Sequence, residues 1–471
     1  MKFLVIASPF PFTGGGKRIY ESLLRWRRFG AEATLFIKKS ELVYALLANR
    51  RSSNGDNNKI LSTLRELEKA DIHVSDLIYE EIRKLDEAFS KIDEVIEKKG
   101  ISWLLAKLYA NLSAMKNDII FAKEFLEREN LWDVDGIYVA HEAPVLDGLY
   151  FAKSLMKPLV VLLQLEPFRA IKEEALQDFY LSKLQRKSRA RTMLRLFLNV
   201  FNKYLFSPKL AYKRLLKSKF LAGFLAVSKA PLELCGLNKI VARRRIPVKV
   251  LIPSVAVHPK IRDNYHPNVR LRMLTNKEPF AIFFARLNPY KGVLEIPLIA
   301  KFLENAGYTL IVAGAFPSDY YKSLFLDKVR RVGCRNIQLA GFLPDDDLWN
   351  LVSKARVLVY PSHSDSFSMV VLESLYLGCS VAAYDIPAIK SVYQGLRPVK
   401  MVREWDVKEL ANKAINILSM NEEFFIEEQM DHNLLNFLRL HGSWDNVVKT
   451  EISALDEMLS KWYQGTKNTT P

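Results

Sequence analysis

The sequence predicts an α/β protein of two domains, each a parallel sheet covered by helices. Three observations lead there. The chain has 471 residues, more than one hydrophobic core ordinarily serves. Short apolar runs such as KFLVIA (2–7), PLVVLLQL (158–165), PFAIFFA (279–285) and ARVLVYPS (355–362) alternate with stretches whose apolar residues recur at three and four, a strand–helix alternation. Several of these runs stop at a polar loop that opens a helix, where free backbone N–H groups and the helix dipole suit an anion.

KFLVIA is the first strand. The loop Ser8 to Lys17 carries Gly14, Gly15 and Gly16, a helix follows over Arg18 to Phe29, Gly30 stops it, and AEATLFI is a second strand. This order makes a Rossmann-like unit. It lacks G-x-G-x-x-G, and Gly16-Lys17-Arg18 is not the G-K-[ST] of a P-loop, so neither dinucleotide nor NTP binding follows. Residues 41–130 are charged, with helical spacing and no recognisable chemistry; they read as several helices, partly an insertion. DGIYVAHE (135–142) is a strand ending in His141 and Glu142, and PLVVLLQLEPF (158–168) one ending in Gln164 and Glu166. Strand ends of a parallel sheet are where ligands bind. GFLAVSKAPLELCG (223–236) and VKVLIPSVAV (248–257) close the first domain, 1–257, and the polar run His258 to Lys277 reads as the interdomain linker.

The second domain spans 278–440. Its first strand ends in Arg286; Lys291 and Gly292 follow, then a helix. YTLIVAGAF (308–316) is a strand running into Gly314, and NIQLAGFLP (336–344) a strand and turn holding Gly341. The acidic run Asp345 to Asp347 caps the next helix. ARVLVY then enters PSHSDSFS (361–368), a strand–loop–helix passage with Asp365 in the loop and Glu373 in the helix beyond. Residues 441–471 hold an amphipathic helix reaching about Tyr463 and a frayed end.

The net charge is +17, and it is unevenly placed. Between Phe179 and Leu232 there are thirteen Lys or Arg and no Asp or Glu, so this segment expects an anionic partner. Residues 183–220 interleave those cations with apolar residues at helical spacing, the composition of a helix lying in an anionic membrane surface; a helical hairpin packed on its own domain is the plain alternative. Nucleic acid is not expected, because the aromatics share an apolar face rather than forming a stacking platform. No run of eighteen apolar residues spans a bilayer. The opening MKFLVIASPFPF is broken by Pro9 and Pro11 and reads as a strand rather than a signal peptide. Cys235, Cys334 and Cys379 lie far apart and give neither disulfide framework nor metal spacing. The expectation is a cytoplasmic protein, peripheral on the membrane's cytoplasmic face.

The PSHSDSFSMVVLE stretch (361–373) resembles the signature of retaining glycosyltransferases of the GT-B fold, the family called GT4. That signature has a proline-serine, a glutamate, Gly-Phe-Gly, an apolar run and a second glutamate eight positions after the first. Asp365 and Glu373 keep the spacing and Phe367 the aromatic position; Asp365 is one methylene shorter than Glu, and Ser366 and Ser368 replace the glycines. Arg286, Leu287, Lys291 and Gly292 match the family's Arg-Leu-x-x-x-Lys-Gly.

The resemblance implies two Rossmann-like domains facing a cleft, with helical insertions at about 41–130 and 167–220, and a last helix, within 441–471, crossing back to the first domain. It implies a nucleotide-diphosphate sugar as donor. Arg286 and Lys291 would hold the diphosphate, the N–H groups around Ser366, Phe367, Ser368 and Met369 the distal phosphate, Glu373 the ribose hydroxyls and Asp365 the sugar, with Gly314 and Gly341 beside the nucleobase. The resemblance puts Gly14, Gly15 and Gly16 across the cleft near a glycan or lipid-linked acceptor, and Gln164 where the family usually carries a histidine; His141, one strand earlier, and Glu166 are further acceptor-side candidates read from their strand ends. No cofactor or metal is implied: the cations do that work, and the Asp-x-Asp of Asp345 and Asp347 sits at a helix start. Two other readings share the fold, a nucleotide-sugar epimerase and a non-catalytic relative acting through its basic segment.

Overall fold

The computed structural model describes residues 1–11, 13–52, 58–96, 117–167 and 208–467. The chain forms two parallel sheets. In the first, β1 (Lys2–Ile6), β2 (Glu32–Phe36), β3 (Ile72–Val74), β4 (Gly136–Val139), β5 (Leu159–Leu163), β6 (Leu221–Ala226) and β7 (Val248–Val250) lie in the order β3-β2-β1-β4-β5-β6-β7. In the second, β8 (Glu278–Phe284), β9 (Leu310–Ala313), β10 (Ile337–Gly341), β11 (Ala355–Tyr360), β12 (Ser380–Tyr384) and β13 (Val399–Val402) lie in the order β10-β9-β8-β11-β12-β13. Every described pairing is parallel. Helices cover both faces, so β1, β5, β11 and β12 are buried almost throughout, which is why they read as unbroken apolar runs. In both sheets the strand order reverses beside the first strand, at β1/β4 and β8/β11. The crevice beyond the carboxyl ends of those strands is the place such sheets offer a ligand.

Three local expectations change. The 41–130 stretch contains β3, which extends the first sheet by pairing with β2; three residues of alternation are too few to stand out among helical spacings. The three glycines are not in the loop but form the first turn of the helix Gly14–Leu23, whose Thr13 Oγ1 accepts from Gly16 N at 3.1 Å. A Cβ on Gly16 would stand 2.0 Å from the Phe10 carbonyl oxygen, so the helix start requires a residue without one. The run 258–277 is packed structure rather than free linker: a 3-10 turn over Pro259–Tyr265 and a helix over Pro267–Leu274. The buried Arg270 donates to Gln429 O at 2.7 Å and Leu375 O at 3.0 Å. Its polar composition disguised a helix held by a buried guanidinium.

The chain crosses between the domains twice, and the crossings are bonded to each other. Val257 N–H donates to His441 O at 3.1 Å, and His441 Nδ1 lies 2.7 Å from Val255 O. After the second crossing the helix Trp444–Lys467 lies along β6 and the Gly14 helix. There Glu451 is 1% exposed and Arg18 2%. Arg18 Nη1 donates to Glu451 Oε1 at 3.1 Å, Arg18 Nε to Ser254 O at 2.8 Å, and Ser22 Oγ to Glu451 Oε2 at 2.5 Å. Tyr138 OH also donates to Glu451.

Removing one member of such a pair leaves the other charge buried and alone, which costs about 3–5 kcal/mol. Glu451→Ala is expected to lose that much. Glu457→Ala, on the exposed side of the same helix where Glu457 meets Lys249 and Lys461, is expected to lose far less. Chemical denaturation of both variants checks the contrast; equal losses would refute it.

Candidate functional site

The site lies at the carboxyl ends of β8–β11. β8 ends at Phe284, and Leu287 N–H then donates to Ala315 O at 3.0 Å, turning the chain outward at Arg286. Arg286 is exposed, and its guanidinium has no hydrogen bond or ion pair among the described residues. The turn Pro289–Lys291 ends at Gly292, whose φ is +73° and whose Cβ, if present, would meet Pro361 O at 2.1 Å. Only glycine fits there, and the contact presses the Lys291 arm onto the loop after β11.

That loop carries Asp365. Lys291 Nζ donates to Asp365 Oδ2 at 2.8 Å and to Tyr360 OH at 3.2 Å. Tyr360 OH donates to Asp365 Oδ2 at 2.5 Å, and Ser366 N–H to Oδ1 at 2.9 Å. Burial works to raise the pKa of Asp365, but the Lys291 charge and these donors outweigh it and hold the carboxyl at about 2. Lys291 is shifted upward for the complementary reason: burial lowers it, and Asp365 more than restores it. Burial and the Asp365 charge push Tyr360 up to about 12. Asp365 therefore already anchors a cation.

Ser368 stands in the left-handed region, φ 70° and ψ 71°, immediately before the helix Met369–Tyr376. A glycine takes that conformation without strain; here Tyr393 OH bonds the Ser368 carbonyl at 2.8 Å. Phe367 packs against Tyr393 and the crossing residue His441. The N–H groups of Phe367, Ser368, Met369 and Val370 have no hydrogen-bond partner among the described residues. They form a cradle of donors at the positive end of a helix. In that helix Glu373 is half-buried and its carboxylate has no protein partner among the described residues. Burial pushes it up to about 7, with the Lys17 charge opposing and Asp345 adding.

On the other side of Arg286, a cavity of about 470 Å³ opens at the ends of β9 and β10, lined by Leu287, Gly314, Phe316, Asp319, Gly341 and Phe342 among others. Gly314 has φ 138°, and a Cβ on it would fall 2.0 Å from Ala285 O. Its N–H donates to Gly341 O at 2.7 Å. Phe342 stands 78% exposed at this cavity.

The first domain meets this rim. A Cβ on Gly14 would lie 3.6 Å from Met369 Sδ, and one on Gly15 would lie 3.2 Å from Gln164 Oε1. Gln164 Nε2 donates to Ala140 O at 2.8 Å, and Ser228 Oγ donates to Ser366 O. The glycine turn, Gln164 and the Ser366–Met369 loop are thus brought together. Glu166 is buried, and its charge reaches Cys235. His141 is engaged elsewhere: Nε2 lies 3.0 Å from Glu41 Oε1, and Nδ1 accepts from Ala143 N at 3.3 Å. Both ring nitrogens are in use, so His141 braces its strand end against Glu41.

Sequence reasoning missed Tyr360, Ser228, Lys17 and Phe342. Tyr360 was visible as the last residue of VLVYPS, where a hydroxyl ending an otherwise apolar strand is a signal. Ser228 closes an apolar strand in the same way.

A carboxyl whose folded pKa is raised loses stability as pH climbs from its unfolded value, near 4.5, through its folded value, near 7. Glu373→Gln is therefore expected to match the wild type in stability below pH 4.5. Above pH 7 it should exceed it by up to roughly 3 kcal/mol. Denaturation at pH 4 and pH 8 checks this, and no gain at pH 8 would refute it.

Residues 272–431 match the family model described as glycosyl transferases group 1. A stretch of 118 residues is 27% identical to the O-antigen chain mannosyltransferase B of Escherichia coli, covering 24% of this chain and 30% of that protein. A stretch of 178 residues is 25% identical to an uncharacterised glycosyltransferase of Methanocaldococcus jannaschii, covering 37% of this chain and 44% of that protein. The chain thus spans under half the length of the curated relatives it matches. Among solved structures, Anabaena HepE in complex with UDP and glucose shares the fold at a TM-score of 0.57 and 13% identity, over 97% of this chain and 100% of that one. Sucrose-phosphate synthase of Thermosynechococcus elongatus does so at 0.58 and 12%, over 98% and 99%. No described helix is long and apolar enough to cross a membrane. The chain has the two-domain GT-B fold, and its residues 272–431, the stretch that holds Arg286, Lys291, Asp365 and Glu373, are similar to the glycosyl transferases group 1 family.

Proposed function

We propose that the protein is a retaining glycosyltransferase that moves a sugar from a nucleotide-diphosphate sugar to a glycan or lipid-linked acceptor at a membrane surface. One observation carries the reading. The rim of the second sheet presents, side by side, a cavity of about 470 Å³, an unpaired Arg286, Lys291 and a cradle of unbonded N–H groups at a helix start. A base, a diphosphate and a sugar have that sequence of shapes and charges.

In this reading the base occupies the cavity between Gly314 and Gly341, and Arg286 and Lys291 hold the diphosphate. As the bond from the sugar's anomeric carbon to the diphosphate oxygen breaks, negative charge grows on that oxygen. A guanidinium fork and an ammonium fixed beside it stabilise the transition state more than the ground state. The cradle of N–H groups at 367–370 takes the distal phosphate. Glu373 accepts from the ribose hydroxyls, and Asp365 holds Lys291 while its Oδ1 faces the sugar. The cations make a metal unnecessary to this scheme. The acceptor hydroxyl replaces the diphosphate on the same face of the sugar, entering past Gly14, Gly15, Gly16, Gln164 and Glu166. The O-antigen mannosyltransferase likeness supports a glycan acceptor. An epimerase would release free sugar without acceptor, so product analysis separates the two.

The segment 168–207, with most of the basic amphipathic stretch, lies outside the described residues. The described flank supports a surface role. The helices Pro208–Leu215 and Leu237–Arg244 are joined by Arg244 Nη1 donating to Leu216 O at 3.0 Å. They and the residues just after them expose Lys213, Arg214, Lys217, Lys219, Lys239, Arg243 and Arg245, none ion-paired among the described residues. Each cation close to an anionic bilayer contributes about 1 kcal/mol.

Two experiments test this function. UDP, GDP and ADP, with UDP first because HepE binds it, are run in a thermal-shift panel on wild type and Arg286→Ala. A nucleotide at ~100 Kd should stabilise the wild type by about 2.7 kcal/mol and the variant hardly at all; no shift with any of them would count against the donor site. Reversing Lys213, Arg214, Lys239 and Arg243 to Glu together is expected to weaken binding to phosphatidylglycerol vesicles on the order of a thousandfold, at roughly 1 kcal/mol per lost cation. Unchanged sedimentation would remove the membrane reading.

A further inference from the structure

The loop before Asp365 is held by a charge cluster that has no part in the donor scheme above. His363 stands two residues before Asp365, with its side chain 2% exposed. Its Nε2 lies 2.5 Å from Glu295 Oε1 and its Nδ1 2.9 Å from Glu404 Oε1. A neutral imidazole has one N–H and one lone pair, so it can donate to only one carboxylate. Facing two, the ring is satisfied only as the imidazolium.

The surroundings are charged and built. Tyr384 OH donates to the other oxygen of Glu295, and Lys328, on the helix Asp319–Val332, feels the Glu295 charge. Glu404 N–H donates to Asp385 Oδ1 at 3.1 Å, and Lys390 Nζ lies 3.5 Å from Asp385 Oδ2. The charge of Asp406 reaches Tyr384. Trp405 lies flat on the imidazole, ring centres 3.7 Å apart and planes 22° off parallel. To place it there, Trp405 takes a φ of +74°, a strained value for a bulky side chain.

What the cluster joins decides its role. Glu295 follows Lys291 by four residues, and Asp365 follows His363 by two. The same two arms meet at Gly292 against Pro361 and through His363 N–H donating to Tyr290 O at 2.9 Å. The ring of His363 adds the one charged fastening between them besides Lys291–Asp365 itself among the described residues. Glu404, from the turn after β13, backs the ring from the far side.

Resting on the donor-site reading above, we infer that His363, as an imidazolium shared by Glu295 and Glu404, is a positioning residue. It fastens the arm carrying Lys291 to the arm carrying Asp365, so the diphosphate cation is set only while His363 keeps its proton. Burial opposes that charge, but the bonds and charges of Glu295 and Glu404 outweigh it and raise the ring above its ordinary 6.5. The sign follows: the fastening is complete below pH 6.5 and is lost as pH rises through the higher folded value.

The test uses the full chain as wild type, His363→Asn and Glu404→Gln. Glu404 is 38% exposed and has no donor-binding role, so its variant moves the proton equilibrium while leaving the ring in place. The first readout needs no ligand. Hydrogen exchange, corrected for intrinsic rates, should quicken about tenfold in His363→Asn over both 286–295 and 361–369, and in the wild type as pH rises from 7 to 9, while β9 stays unchanged. The second readout is the affinity of whichever of UDP, GDP or ADP binds. Its alkaline decline should move to lower pH in Glu404→Gln and be absent in His363→Asn, which starts about tenfold weaker. Unchanged exchange, or a change in one arm only, overturns the inference, as does an alkaline limb that Glu404→Gln leaves in place. If no nucleotide binds even the wild type, the donor reading fails and hydrogen exchange still decides the clamp. If His363→Asn does not fold, the Glu404→Gln shift decides it.

Discussion

Arg18 and Glu451 hold the molecule to its shape. A guanidinium and a carboxylate, both nearly without solvent, are tolerable because most of the strong bonds they lose to water are replaced nearby, Arg18 Nη2 being left without one. Arg18 also reaches the Ser254 carbonyl, and Glu451 also takes Ser22 and Tyr138. The pair ties the helix that bears the glycine turn to the helix that ends the described chain, beside the carbonyl at which the first crossing begins. The position of Gly14 opposite Met369 therefore depends on a bond made well below the cleft. Such a pair adds little net stability over a well-packed apolar substitute. What it supplies here is a fixed angle between elements that carry the two faces of a site.

The second sheet uses the same economy of position. Its carboxyl rim runs from a cavity of mixed polar and apolar lining through Arg286 and Lys291 to the loop of free N–H groups, and then to the His363 cluster. Each station is at a strand end because a parallel sheet directs its strand ends to one edge. Burial gives them their properties. Lys291 keeps its charge because Asp365 is beside it, whereas Glu373, with no donor to itself, is held half-protonated near neutrality. A carboxyl in that state is prepared to accept hydroxyl donors, since any donor bound to it favours the charged form.

Much of this was legible in the residues. Strands buried on both faces announce themselves as apolar runs, and Arg286, Lys291, Asp365 and Glu373 lie at spacings that a strand–turn–helix passage dictates. The likeness to GT-B glycosyltransferases could be read from those spacings and agrees with the fold and with the family model that residues 272–431 match. What could not be read depends on partners far apart in the chain. Nothing near His363 points to Glu295 or Glu404, and nothing near His141 points to Glu41, which takes up the ring and leaves it no nitrogen for a substrate. The Ile72–Val74 strand is too short to carry a period. The helix around Arg270 hid because a buried arginine reads as a surface residue until its carbonyl partners are seen.

The bonded double crossing at Val257 and His441 has a consequence for how the chain is made. The second domain is one continuous stretch, complete before the Trp444 helix begins. The first domain is not: its seven strands are synthesised early, but the carboxylate that neutralises Arg18 comes at position 451. Until the ribosome has delivered it, the Gly14 helix carries an apolar face and an uncompensated cation on a surface meant to be interior. The later domain is thus able to finish first, and the earlier one is sealed last by a contact whose members stand 433 positions apart. Contacts of such separation form slowly, and partly folded chains with open apolar surface are the ones that associate wrongly. In this architecture the first domain to emerge is the last to become safe from aggregation.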